Sequence, residues 1–328
     1  MNSTNFRETP WNKPFLMQRA DPYMYRHTDG TYYFTGSVPE YDRIVLRSAK
    51  TMEGLKTAAE KILWTRHESG PQSLHIWAPE LHYLDGNWYI YYAAGEKDDP
   101  WKIRPYVLAC TGQDPMKDPW KELGMMQAAD SDPFSFQEFS LDATVLTHKG
   151  EHYFVWAEKV SVGKKISNLY IAKMEMPWKL ATDQVLLTSP DYDWERVDFW
   201  VNEGPAFLKH DGKLYMTYSA SATGACYCMG MLSISEDADL LDPRAWKKER
   251  YPVLKTDQEK GIFGPGHNSF VKAEDGVTDV CIFHARPYDE IVGDPLYDPN
   301  RHAMRMKITY DDTGAPIFAY QGDSGCCI

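Results

Sequence analysis

Three acids stand alone among apolar or small neighbours: Asp21 in Arg-Ala-Asp-Pro-Tyr, Asp142 in Ser-Leu-Asp-Ala-Thr and Glu203 in Val-Asn-Glu-Gly-Pro. Carboxyl groups in such settings have their proton affinity shifted by burial and by like charges nearby. Two carboxylates on opposite sides of a sugar-sized pocket are what glycosidic bond cleavage requires. One protonates the leaving oxygen, and the other serves the anomeric carbon as base or nucleophile. A third near the acid raises its pKa by like-charge repulsion and keeps it protonated near neutral pH. Asp21, Asp142 and Glu203 are therefore candidate catalytic residues. Glu80, in Ile-Trp-Ala-Pro-Glu-Leu, completes a series of acids spaced by about 60 residues.

To converge, acids so far apart in sequence need a repeating scaffold. After each one a polar turn leads into an aromatic run: Asp29-Gly30, Asp85-Gly86, Lys149-Gly150 and Asp211-Gly212, with a fifth copy at Asp275-Gly276. Asp-Gly between alternating apolar runs is the strongest short-range hairpin signal, because a type I′ turn needs positive φ at both central residues. Five such units, at a period longer than the 40–45 residues of WD repeats, predict an all-β, five-bladed β-propeller with the acids at equivalent places on its innermost strands. No composition break or Ser/Gly linker divides the chain, so residues 1–328 read as one catalytic domain with about 12 N-terminal residues as an extension.

The chain of 328 residues has 14% aromatic residues, which suits both blade packing and sugar stacking, and a formal net charge of −12. That charge argues against a nucleic-acid partner, since phosphate binding draws on clustered Lys and Arg. No apolar run reaches the length of a membrane span, so a membrane partner is not expected. Six cysteines, Cys110, Cys226, Cys228, Cys281, Cys326 and Cys327, lack the paired CxxC spacing of a zinc site. They read as reduced thiols. With no signal peptide in the first residues, the expectation is a cytoplasmic protein, and secretion with a leader removed is the alternative.

The motifs Arg19-Ala20-Asp21-Pro22, Trp77-Ala78-Pro79-Glu80, Leu141-Asp142-Ala143, Asn202-Glu203-Gly204-Pro205 and Gly264-Pro265-Gly266-His267-Asn268-Ser269-Phe270, in that order, resemble glycoside hydrolase family 43 from about Asn12 onward. The resemblance implies an inverting hydrolase in which Asp21 is the general base, Glu203 the general acid and Asp142 the residue that orients and tunes Glu203. Inversion implies carboxyl groups about 6.5–9.5 Å apart, leaving room for water. His267 matches an axial histidine that in relatives holds a water or hydrated cation, often calcium. No cofactor is expected to be required, and any calcium or other cation at the axis would be held through water, since calcium prefers oxygen ligands. Trp77 is expected as an apolar wall for the sugar. Arg286, in Phe283-His284-Ala285-Arg286, is expected to contact the sugar, with Glu80 a structural residue or a partner of Arg286.

Within that family the runs Cys228-Met229-Gly230-Met231 and Leu240-Leu241-Asp242-Pro243 resemble the exo-acting α-L-arabinofuranosidase branch. The substrate partner implied is an arabinose-containing oligo- or polysaccharide. β-D-xylosidase and endo-1,5-α-L-arabinanase are the sister activities. A non-catalytic carbohydrate-binding propeller is the reading from another class, and it would not need a matched acid and base.

Overall fold

The computed structural model describes Thr9 and residues 11–160 and 166–320. Among these the chain is almost wholly β, with one short α-helix, Met52–Thr57, capped by the Thr51 side chain, and three single 3-10 turns. Cys326 and Cys327 lie outside the described residues.

Local turn chemistry cuts the strands. Asp85-Gly86, Lys149-Gly150 and Asp211-Gly212 are two-residue turns in which both residues have positive φ (49° and 84°, 50° and 82°, 47° and 71°). They join Leu74–Leu84 to Asn87–Gly95, Ser140–His148 to Glu151–Val160, and Trp200–His210 to Lys213–Ala220. This is the backbone handedness that lets a twisted hairpin close in two residues. The first and fifth hairpins close through longer loops. There Asp29 and Asp275 accept from backbone N–H groups two or three residues on, as Asx turns do.

Antiparallel meanders follow from these hairpins. Ala20–Arg26, Tyr32–Ser37, Arg43–Ala49 and Lys61–Thr65 form one four-stranded sheet, and Leu74–Leu84, Asn87–Gly95, Arg104–Cys110 and Trp120–Met125 form another. The meanders beginning at Ser140 and Trp200 are joined into one sheet by a short parallel pairing of Ile166 and Ser167 with Trp200 and Val201. The last is Phe263–Lys272, Asp279–Arg286 and His302–Lys307, and Leu16 bridges Ala303 beside it, so the N-terminal segment pairs with the end of the chain. Between sheets lie aromatic side chains such as Trp88, Tyr91, Phe154, Trp156 and Tyr218, all fully buried. Truncating one of the tryptophans to Ala would cost about 3–5 kcal/mol.

The first strands of the five units touch in cyclic order, the strand from Ala20 meeting those from Leu74 and Phe263. Each carries a β-bulge at the same point. The pairing slips between Ala20 and Tyr23, Trp77 and Glu80, Leu141 and Thr144, Glu203 and Ala206, and Gly266 and Ser269. The residue after the slip begins is always left-handed: Asp21, Ala78, Asp142, Gly204 and His267, with φ of 50°, 45°, 52°, 57° and 43°. Proline follows at Pro22, Pro79 and Pro205, where the missing N–H is harmless because a bulge leaves the ladder open.

These bulges correct the expected phase of the acids. Asp21 and Asp142 occupy equivalent positions, shared with His267, whereas Glu203 stands one residue before its bulge and Glu80 two residues after. Glu80 consequently leaves the catalytic series. It is buried against His82, with Oε2 2.9 Å from Nε2, and its partner is not Arg286.

Candidate active site

The bulge residues Asp21, Asp142 and His267 face a cavity of about 690 Å3, whose lining also includes Glu203, Trp77 and Arg301. A left-handed residue with a side chain is strained, and Asp and His are among the types that tolerate it best. The strain is countered by contacts to every polar group around Asp21. Its N–H donates to His284 Nδ1 (3.1 Å), and Ser37 Oγ donates to Oδ2 (2.6 Å) while accepting from the Ala78 N–H (2.8 Å). On Oδ1 converge Arg301 Nη1 at 3.4 Å and His267 Nδ1 at 3.3 Å.

Burial would raise the Asp21 carboxyl pKa, but the charges of Arg301 and His267 outweigh it and hold the group well below the usual carboxylate range. Asp21 is thus ionised. His284 Nδ1 also lies 3.4 Å from Asp21 Oδ1. A nitrogen that already accepts a backbone N–H presents a lone pair there, so this approach is not an ion pair. Burial, which lowers the His284 pKa to about 3, agrees with a neutral ring.

Asp142 and Glu203 behave oppositely. Burial, then the charges of Glu203, Asp21 and Glu80, push Asp142 well above its ordinary value. Burial also raises Glu203, against a hydrogen bond from Tyr227 and the charges of His267 and Lys159. The two acids are coupled, and both are driven toward the protonated form. Tyr227 O–H donates to Glu203 Oε1 at 2.8 Å, leaving Oε2 to carry a proton into the cavity.

His267 Nδ1 lies between two carboxyl groups, 3.3 Å from ionised Asp21 and 3.5 Å from Asp142, so this nitrogen is placed to donate to Asp21. The imidazole face toward the acids is engaged, and among the described residues no group of three or more His, Cys, Asp or Glu is placed to hold an ion. Trp77 forms part of the wall, stacked on His75 with ring centroids 4.4 Å apart.

Arg286 does not line the cavity. It is buried, and its guanidinium donates to the carbonyls of Thr223 (2.7 Å) and Pro295 (2.6 Å), with Asp298 Oδ1 at 3.5 Å. It clasps two rim loops, one of which contributes Thr223 to the lining and the other Asp294 and Leu296. The arginine inside the cavity is Arg301, which also donates to Tyr41 Oη (2.6 Å). The sequence reading missed Arg301, Tyr227, Ser37 and Tyr41. Arg301 follows a turn with no motif around it, and Ser37 and Tyr227 lie in ordinary strand and loop patterns. His284 stood in a run already singled out, where only the neighbouring arginine drew weight.

The sequence model described as "Glycosyl hydrolases family 43" matches residues 11–316. The chain is 47% identical over 308 residues to the extracellular exo-alpha-(1->5)-L-arabinofuranosidase of Streptomyces avermitilis, covering 94% of this chain and 63% of that protein. It is 47% identical over 289 residues to the protein of the same name from Streptomyces chartreusis, covering 88% of this chain and 86% of that one. The chain thus spans less than two thirds of the length of the first of these. A crystal structure of an alpha-L-arabinofuranosidase from Lactobacillus brevis, 49% identical, superposes with a TM-score of 0.88 over 94% of this chain and 97% of that one.

Both Streptomyces proteins are named extracellular, which overturns the expectation of a cytoplasmic protein. That expectation rested partly on the thiols. Cys110, Cys228 and Cys281 are free and buried, and Cys226 is free and partly buried. Burial raises the pKa of each, so they are inert thiols that say little about the redox state outside.

Proposed function

Because the chain belongs to glycosyl hydrolase family 43, we propose that it is an inverting, exo-acting enzyme that removes terminal α-L-arabinofuranosyl units from arabinan or arabino-oligosaccharides. One observation carries the reading. Three carboxyl groups from three strands face one cavity, with one held ionised and two driven toward protonation. Ionised Asp21 accepts a proton from the attacking water. Glu203 delivers its proton to the leaving oxygen as the bond to the anomeric carbon breaks. Asp142 and Glu203 are coupled and resist ionising together, so the pair keeps a proton for the leaving oxygen, and His267 and Arg301 hold Asp21 ready without protonating it. Neither proton transfer needs a metal, and no cofactor is assigned.

The scaffold is a five-bladed propeller formed by a single catalytic domain, with residues before about Asn12 as an extension. Support comes from the cyclic contacts of the five first strands, their five matched bulges, and the pairing of Leu16 with Ala303 that joins the two ends. The names of the Streptomyces and Lactobacillus relatives support arabinose as the sugar released.

The test compares the purified protein on aryl α-L-arabinofuranoside, aryl β-D-xylopyranoside and linear 1,5-linked arabinan, with Glu203→Ala as control. Arabinose as the main product from arabinan, lost in the control, is the expected result. Xylose release, or arabino-oligosaccharides without arabinose, would move the assignment to a sister activity of the family.

A further inference from the structure

Beside the catalytic cavity lies a second depression of about 380 Å3, which no step above uses. Its size is at the lower end of small-molecule sites, about 300–1,000 Å3. Trp101 and Tyr297 stand over it, 55% and 56% exposed, from loops of the second and fifth units. Together the two exposed rings give this depression an aromatic rim next to the catalytic cavity.

The walls are held in place from beneath. His75, 3% exposed, directs Nδ1 to the Pro100 carbonyl (3.0 Å) and Nε2 to Tyr297 Oη (3.1 Å). A carbonyl only accepts, so Nδ1 carries the proton. Nε2 then holds a lone pair and accepts from the Tyr297 hydroxyl. Burial lowers the His75 pKa, which favours this neutral tautomer. One imidazole therefore fixes both the residue before Trp101 and the Tyr297 ring. His75 is itself held in a left-handed conformation, φ 54°, and stacks on Trp77 of the catalytic cavity. The two spaces adjoin at Trp101, which lines both, and Tyr41 borders the second while its hydroxyl bonds Arg301 of the first.

Resting on the arabinan-cleaving reading, we propose that the Trp101–Tyr297 groove binds a further sugar ring of the saccharide whose terminal unit occupies the catalytic cavity. The apolar faces of a sugar ring pack on aromatic rings, and polar hydroxyls remain at the wet edge of the groove. That ring belongs to the linear chain or to a branch, and the two have the same chemistry.

The test measures kcat and KM for Tyr297→Ala, Tyr297→Phe and the unaltered protein on aryl α-L-arabinofuranoside and on linear and branched arabino-oligosaccharides of several units. Thermal midpoints check folding. The expected result for Tyr297→Ala is activity within about twofold on the aryl substrate and kcat/KM lower by about tenfold on an oligosaccharide, mainly through KM. Loss confined to the linear or the branched substrate identifies the source of the ring. Tyr297→Phe keeps the ring but not the bond to His75, and it should fall between the two. An equal loss on all substrates, or none on any, would overturn the groove while leaving the catalytic reading intact. If the unaltered protein cleaves none of these arabinosides, the catalytic reading fails and the groove fails with it.

Discussion

The division of labour between the acids is set by their surroundings rather than by their residue type. Asp21 and Asp142 sit in the same backbone conformation and touch the same imidazole nitrogen, yet only Asp21 has Arg301 in contact. Together with His267 that guanidinium outweighs burial for Asp21, while burial and then the charges of Glu203 and Asp21 push Asp142 the other way. Asp21→Ala is expected to lower turnover on arabino-oligosaccharides by about 1,000-fold or more with little loss of stability. Glu203→Gln should show a similar loss on oligosaccharides and a much smaller one on an aryl arabinoside with a good leaving group, which departs without protonation. Steady-state rates on the two substrate types check both. For Asp142→Asn the sign follows from the raised pKa of Glu203. The two coupled acids resist ionising together, and with a neutral amide in place of its partner Glu203 gives up its proton more readily, so the alkaline limb of the pH–rate profile moves to lower pH while the acidic limb, governed by Asp21, stays. The same substitution should stabilise the fold at neutral pH. A carboxyl whose pKa is raised on folding contributes stability below its unfolded pKa and loses it as pH rises through the folded one. Calorimetry at pH 7 should therefore give a higher thermal midpoint for Asp142→Asn, by about 2 °C or more.

At the scale of the strand, the bulge is the device that makes a catalytic position. It puts one residue of each first strand in the left-handed conformation, at Asp21, Ala78, Asp142, Gly204 and His267, and three of these, Asp21, Asp142 and His267, line the cavity. Gly204 belongs there for a steric reason. Its φ is +57°, and a Cβ would lie 3.1 Å from Cγ of the His267 ring. Gly204→Ala is expected to cost about 1–2 kcal/mol from backbone strain, measured by denaturant unfolding. It should also lower turnover, because the ring it displaces bridges Asp21 and Asp142. The bulges also mark how far the sequence could be read. Lone acids in apolar runs stood out, as did the Asp-Gly turns, because each depends on neighbours within a few residues. The phase of the acids did not, since a bulge shifts side-chain direction without leaving a pattern in residue type. Glu80 and Glu203 both fell near the expected spacing, and only the backbone separates the one packed on His82 from the one in the cavity. Arg301 and Arg286 illustrate the same limit. Which of two buried arginines reaches Asp21 depends on how a loop folds back, and the run around Arg286 carried the more familiar pattern.

For the whole molecule, assembling the site from separate units means that no single unit holds a usable site. Asp21 comes from the first, Asp142 from the third, Glu203 from the fourth, and His267 and Arg301 from the fifth. Their mutual distances depend on the five first strands staying in contact around the axis, and the Leu16–Ala303 bridge ties the first unit to the last. On the proposed reading, water activated by Asp21 stands on the face of the sugar opposite the leaving oxygen held by Glu203. The most direct measurement is proton NMR of the first turnovers on a 1,5-α-linked arabino-oligosaccharide, followed before the released sugar equilibrates. The account predicts that β-L-arabinofuranose appears first. Initial release of the α anomer would mean retention through a covalent intermediate and would contradict Asp21 as the base.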